Sequence, residues 1–239
     1  MAAPTNTHLK VLSAGAVKYV VTGLAPKFAR DAGMSVDFNF GTIASVRRQL
    51  QDGARPDIIV GTLPAIMAME QAGVLLAGSV GEIGRTLTGL GVRKGTPVPD
   101  ISTPDRFRET MLAARSIAYT NPAAGGTSGL YLVGLLERLG IADAVVRKAL
   151  LCIDGDEVVD KVIAGDAEVG STFISEFITR QGMKVVGPFP AAIGHGMAYA
   201  VGLAANGSHR EEARAFIKLL TDPAQQDFLA SRGFQAATG

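Results

Sequence analysis

The sequence has one cysteine, Cys152, no tryptophan, and only three histidines, His8, His195 and His209, spread along 239 residues. A lone thiol excludes an internal disulfide and a thiolate zinc cluster, and histidines so scattered argue against a His-based catalytic metal site. Neither a metal nor a cofactor is expected. A dominant charge is also missing, since 23 Lys and Arg stand against 22 Asp and Glu for a net +1. Without a chain-wide field to attract phosphate backbones, a nucleic-acid partner is not expected. The apolar runs are broken by Lys, Arg, Asp or Gly well short of the roughly 18 residues of a membrane span, so no membrane insertion is expected. The opening MAAPTNTH has neither a basic nor an apolar leader segment. The expectation is a periplasmic protein given as a mature chain without its signal peptide, or else a cytoplasmic one.

Missing motifs narrow the chemistry further. There is no phosphate-loop lysine motif, no strand-linked G-x-G-x-x-G and no G-x-S-x-G, so neither a nucleotide site nor a hydrolase elbow has its usual signature.

What is present is a chain 47% hydrophobic with 29 glycines, enough for one large domain or two lobes of about 100–120 residues. Residues 9–15 read as a buried strand and 16–32 as a helix stopped at Gly33. Residues 34–40 alternate as a strand, 46–51 are a short helix, and DIIVG at 57–61 is a fully buried strand before a helix over 63–72. Further strands are expected from 86, over 116–120, 168–174, 185–188 and 197–203, with helices over 104–114, 130–139, 157–163 and 210–231, the last broken near Pro223. This alternation predicts an α/β fold of two lobes, each a mostly parallel sheet flanked by helices. Chemistry is then expected where strands end and helices begin.

Three small, Gly-rich turns sit at such places: SAGA at 13–16, GTIAS at 41–45 and GGTS at 125–128. Turns of this kind aim backbone N–H groups and hydroxyls outward at the positive end of a helix and suit an anion. Each is also an ordinary helix cap. The paired glycines of the third make it the most specific, because such flexibility is costly unless the backbone must turn sharply. Lys18 and Arg47 are cations able to neutralise a carboxylate, or a solvated helix face. His195, between two glycines, is a proton shuttle or an exposed loop residue. Glu157 complements a helix dipole or serves as a base.

From Leu9 to Phe234 the chain resembles the type II periplasmic substrate-binding proteins, and their molybdate-binding branch in particular. The resemblance rests on SAGAV, FGTIASVRRQLQDGARPDIIVGT, NPAAGGTSG, EVVDKVIAGDAEVGSTF and TDPAQQDFLASRGF. It implies two lobes joined by two crossing strands, with a ligand cleft between the lobes. On this basis lobe 1 is 1–84 plus 204–239, lobe 2 is 94–195, and 85–93 with 196–203 are hinge strands. The resemblance implies ligand contacts at Gly15 and Ala16, at Thr42, at Gly126, Thr127 and Ser128, at Val158 and at Phe173. Ala16 replaces a serine and Phe173 a tyrosine of molybdate binders. Each lost neutral hydrogen bond costs roughly 0.5–1.5 kcal/mol, so a tetrahedral oxyanion is weakened by about 10- to 100-fold.

The reading is therefore a monomeric solute-binding protein for a small anion, an organic di- or tricarboxylate rather than molybdate, serving an ABC permease if exported. The alternative is an isomerase of an unsaturated tricarboxylate, similar to aconitate isomerase. In that case His195 or Glu157 would be the base.

Overall fold

A computed structural model describes residues 8–237, and the leader reading of residues 1–7 falls outside that range. The described chain forms two compact units. One runs to Arg85, resumes over Ala198–Ala230 and takes in the residues from Gln235, and the other comprises Thr86–Met197 and Ser231–Phe234. The segment 204–239, expected in lobe 1 as a whole, thus gives Ser231–Phe234 to the second unit, where Gly233 lies against Ile174 and Ser175.

The first unit begins with β1 (His8–Ala14), a 3-10 turn over Gly15–Val17, and α1 (Lys18–Ala32). Gly33 ends α1 with φ of 68°, a left-handed conformation that glycine adopts without a Cβ penalty. Then come β2 (Ser35–Gly41), α2 (Ile43–Gln51), β3 (Ile58–Thr62) and α3 (Leu63–Gln71). β1 pairs in parallel with both β2 and β3, as apolar strands separated by helices require. α2 starts at Ile43 rather than 46, because the Thr42 hydroxyl accepts the Ser45 N–H at 3.2 Å. Leu12, Val46, Ile59, Ile66 and Met69 pack together, each fully buried side chain contributing about 1.5–3 kcal/mol.

β4 (Gly81–Arg93) carries the chain into the second unit. It begins before residue 86, where glycines at 84, 89 and 91 break its apolar pattern; its pairing with β7 runs unbroken over Thr88–Val92, while that with β8 shifts register at Leu90 and Gly91. A Cβ on Gly89 would lie 2.5 Å from the Gly187 carbonyl oxygen, so the close approach of the neighbouring strand demands glycine. α4 (Pro104–Ala113) is capped by Thr103 and followed by β5 (Ile117–Thr120) and α5 (Thr127–Arg138). Next are α6 (Ala142–Val146), β6 (Ala149–Cys152), α7 (Gly155–Ala164), β7 (Val169–Phe173), α8 (Ile174–Phe177) and β8 (Met183–Pro188). β5 pairs in parallel with β6 on one side and β7 on the other.

β9 (Gly196–Leu203) returns the chain to the first unit, where its residues from Tyr199 pair antiparallel with β3. The sheets are therefore more mixed than expected. β4 is antiparallel to β7 and β8, and both β4 and β9 carry the chain from unit to unit instead of completing a helical crossover. The helix expected over 210–231 is two, α9 (Arg210–Leu220) and α10 (Gln226–Ser231). Between them Asp222 caps the Ala224 N–H, and Pro223 has no N–H to continue α9. A two-residue strand, β10 (Phe234–Gln235), pairs with β4.

Candidate anion-binding site

A polar, Gly-rich turn of the second unit lies between β5 and α5. Asn121 closes it by accepting the Ala123 N–H at 3.0 Å, and Gly125 takes φ of 81°. Gly126 is the N-cap of α5 and supplies no side-chain bond. Of the first-turn amides, Gly129 N–H donates to the Thr120 hydroxyl at 2.9 Å. Those of Thr127 and Ser128 have no intrahelical acceptor, as helix geometry dictates. The Thr127 hydroxyl makes no hydrogen bond among the described residues and is only half-buried. Two amides, one hydroxyl and a helix dipole thus converge at the N-terminus of a 12-residue helix. Thr127 and Ser128 belong to the helix itself, which was expected to begin at 130.

Ser128 does not present its hydroxyl outward. It is buried, with Thr120 Oγ1 at 3.0 Å and Thr172 Oγ1 at 3.2 Å. Thr172 in turn donates to the carboxyl of Glu176, which also receives the Phe173 N–H at 3.4 Å. Glu176 is 6% exposed. Burial pushes its carboxyl up to about 7, against the pull of the Thr172 and Phe173 bonds, with Asp156 and Asp154 adding to the rise. Its carboxyl lies so close to Gly155 that a Cβ there would come within 2.1 Å of Cδ. Glu176 escaped the sequence reading. The one local signal was Gly155 held between two aspartates at a helix start.

The other residues expected at the site are placed as follows. His195 stacks on Tyr131 with ring centroids 4.3 Å apart, and Tyr131 lies one helical turn beyond Thr127. The His195 carbonyl accepts both the N–H and the hydroxyl of Thr88, which anchors the residue to β4. Glu157 Oε2 accepts the Ile153 N–H at 2.7 Å, and its own N–H donates to Asp154, so its carboxylate serves the start of α7. Val158 is fully buried, and its N–H donates to the Asp154 carbonyl at 3.3 Å. Phe173 is 3% exposed and contributes no hydroxyl.

In the first unit, Gly15 and Ala16 form the 3-10 turn ahead of α1, with the Ala16 methyl buried. The Ser13 hydroxyl turns back to the Ala14 carbonyl rather than outward. Thr42 caps α2. Lys18 Nζ lies 5.6 Å from the Phe40 ring centroid and 5.8 Å from that of Tyr19, within cation–π range. Arg47 is exposed.

A cavity of about 710 Å³ in the second unit is not at the turn. It opens where β5 and β7 begin, lined by Arg93, Arg106, Arg115 and Glu168, whereas the turn follows the end of β5. Arg106 is paired with Asp100 and Glu109 and Arg115 with Glu168, so most of its charge is internally neutralised. Chemically it competes poorly with unpaired donors at a helix start. Cys152 is a buried thiol pushed up to about 11, first by burial and then by the Glu157 charge, which makes it a poor nucleophile.

The elements and turns define an α/β binding-protein fold of the two-lobed, type II periplasmic kind. Residues 9–235 match the bacterial extracellular solute-binding protein family, and the chain belongs to it. Within the superfamily it falls in the molybdate-binding-protein-like branch. It is similar to an aconitate isomerase from a Pseudomonas species, 28% identical over 226 residues, covering 92% of this chain and 84% of the relative. A molybdate-binding protein of Mycobacterium tuberculosis is 24% identical, over 98% of this chain and 87% of that one. Among solved structures, the periplasmic molybdate-binding protein of Azotobacter vinelandii superposes with a TM-score of 0.78 at 18% identity, over 96% of this chain and 100% of that one. Among the described residues, no helix is long and apolar enough to cross a membrane.

Proposed function

We propose that this solute-binding protein works as a periplasmic monomer, captures a small organic di- or tricarboxylate, and hands it to an ABC permease. The observation that carries the reading is the first turn of α5, where the Thr127 and Ser128 amides and the Thr127 hydroxyl are unspent. Preference for a carboxylate over molybdate is supported within the second unit by Phe173, a buried residue without a hydroxyl for a tetrahedral oxyanion. Several of the similar proteins are named for small anions, among them molybdate binders and a sulfate-binding protein.

A thermal-shift panel tests this, with citrate, cis- and trans-aconitate, molybdate, tungstate and sulfate as probes. A ligand that binds only the folded state raises Tm by mass action. The expected result is a rise with tricarboxylates and none with molybdate. A rise confined to inorganic oxyanions overturns the carboxylate preference. Thr127→Val removes one hydroxyl donated to an anion, a loss of about 1.5–3 kcal/mol or roughly tenfold or more in affinity. Unchanged affinity in that variant overturns the placement of the anion at this turn.

The similarity to an aconitate isomerase supports a second reading, in which the bound tricarboxylate is turned over. His195 is the base of choice, because its ring stacks one helical turn from Thr127 while the Glu157 carboxylate is held by the Ile153 amide. Incubation with cis-aconitate, followed by separation of the isomers, decides between them. If isomerisation occurs, His195→Ala is expected to lower kcat by about 100-fold or more with binding retained, and Glu157→Gln to have little effect.

A further inference from the structure

Glu176 is a buried acid joined to the α5 turn by an unbroken row of hydroxyls. Each hydroxyl has one proton to donate, so an ionised Glu176 fixes the direction of the whole row. Gly129 N–H donates to Thr120, Thr120 to Ser128, Ser128 to Thr172, and Thr172 to the carboxylate. Every hydroxyl proton then points away from the turn. A protonated Glu176 donates to Thr172 instead and lets the row reverse, which leaves the Thr120 proton for an acceptor beyond the row. Thr120 Oγ1 lies directly beneath Gly126, 2.6 Å from where a Cβ of that residue would stand.

We infer that Glu176 is a proton-binding site coupled to the Gly126–Ser128 turn, so that an anion captured there is taken up together with a proton. This rests on the proposed anion site at that turn. Two effects act in the same sense. Protonation removes a negative charge behind the anion and aims a hydroxyl proton toward it.

Among the causes that move Glu176, the charges are those of two carboxylates. Asp154 and Asp156 face it from the start of α7, and both favour its neutral form. Arg180, after α8, is spent on Asp156 at 3.0 Å and on Asp160. β7 and the first turn of α5 offer only hydroxyls and amides, Lys184 of β8 is exposed, and Tyr119 of β5 packs into the core on the opposite face.

Because the anion favours the protonated acid, affinity is expected to fall as pH rises through the range in which Glu176 ionises. A coupling of the usual size gives a drop of about tenfold between roughly pH 6 and pH 8.5. Calorimetry in two buffers of different ionisation enthalpy, with citrate, trans-aconitate and molybdate as probes, reads the protons taken up. Glu176→Gln keeps the shape and removes the titration, and comparison with it subtracts every proton exchanged by the probes and by the rest of the chain. The expected result is proton uptake by the natural chain in excess of the variant, and a flatter pH dependence in the variant. Equal uptake by the two overturns the inference.

A second measurement needs no ligand. The amide nitrogen shifts of Gly126, Thr127 and Ser128 are expected to follow one titration in the natural chain and to lose it in Glu176→Gln. Turn amides that ignore Glu176 overturn the coupling even if anions bind. Binding of molybdate alone, with excess proton uptake, supports the inference and overturns the carboxylate preference. If no probe binds at any pH, both readings fail.

Discussion

Replacing Gly129 by alanine is expected to lower the melting temperature of the protein sharply. A Cβ at this position would stand 1.7 Å from the Thr120 carbonyl oxygen, and that neighbour is the backbone of β5 rather than a side chain able to swing aside. Relief requires α5 to shift off the strand, which would also break the Gly129 N–H bond to Thr120 Oγ1 and the Ser128 contacts with Thr120 and Thr172. Overpacking of this kind, added to the loss of a buried polar row, costs on the order of 4 kcal/mol or more. For a chain of this size that lowers Tm by about 8–16 °C. Gly134→Ala in the same helix is the control. Its Cβ would meet only Arg138 Nη1, at 3.8 Å, and alanine is the better helix former by roughly 0.5–1 kcal/mol. A scanning calorimeter should show the first variant melting far below the natural chain and the second at or slightly above it. Equal melting of the two variants overturns the packing argument.

Asp57→Ala is expected to be nearly as damaging, in the first unit. Asp57, just ahead of β3, is 2% exposed. It accepts N–H bonds from Lys10 at 2.9 Å, Ser208 at 2.7 Å and His209 at 3.0 Å, and its Oδ2 lies 3.3 Å from His209 Nδ1. One carboxylate therefore ties β1 to the segment that leads into α9. Burial raises its affinity for a proton, but the Lys10 and His209 bonds outweigh burial and hold it below its usual value of 3.8. Removing the acceptor strands three buried or half-buried N–H groups at a cost of about 3–5 kcal/mol. The charge has its own signature. A carboxylate with a lowered folded pKa contributes stability that is present above the unfolded value and lost as pH falls through the folded one. Asp57→Asn should be less stable than the natural chain near neutral pH, and the gap should narrow below about pH 4. A gap that stays constant into acid would assign the effect to shape alone.

Much of the fold could be read from the chain because the apolar periods are clean. DIIVG before a helix, and a strand leading to Gly-rich turns, leave few alternatives to an α/β architecture. The short elements could not be read that way. β6 and α8 are 4 residues each, too brief to carry a period, and their place depends on pairing with β5 and packing on α7. The full length of β4 was hidden by its glycines, whose purpose is visible only once Gly187 and Phe177 lie beside them. At the site, Ser128 looked like an outward donor because Ser at a helix start usually is one. Its inward turn depends on Thr120 and Thr172, 8 and 44 residues away. Glu176 was invisible for the same reason, since burial of an acid is decided by distant partners and not by its neighbours in the chain.

The way the second unit is spliced into the first bears on how the chain matures. Synthesis delivers β3 early, yet the strand that pairs with its far edge, β9, emerges only after more than a hundred further residues have been made. Until then β3 offers an open edge of unpaired backbone N–H and C=O groups to any passing strand. The inserted unit has nearly all of its own sequence before β9 is complete, lacking only Ser231–Phe234. It is therefore free to become ordered first, and the N-terminal part of the chain, up to Arg85, must wait, partly formed, for its closing partner.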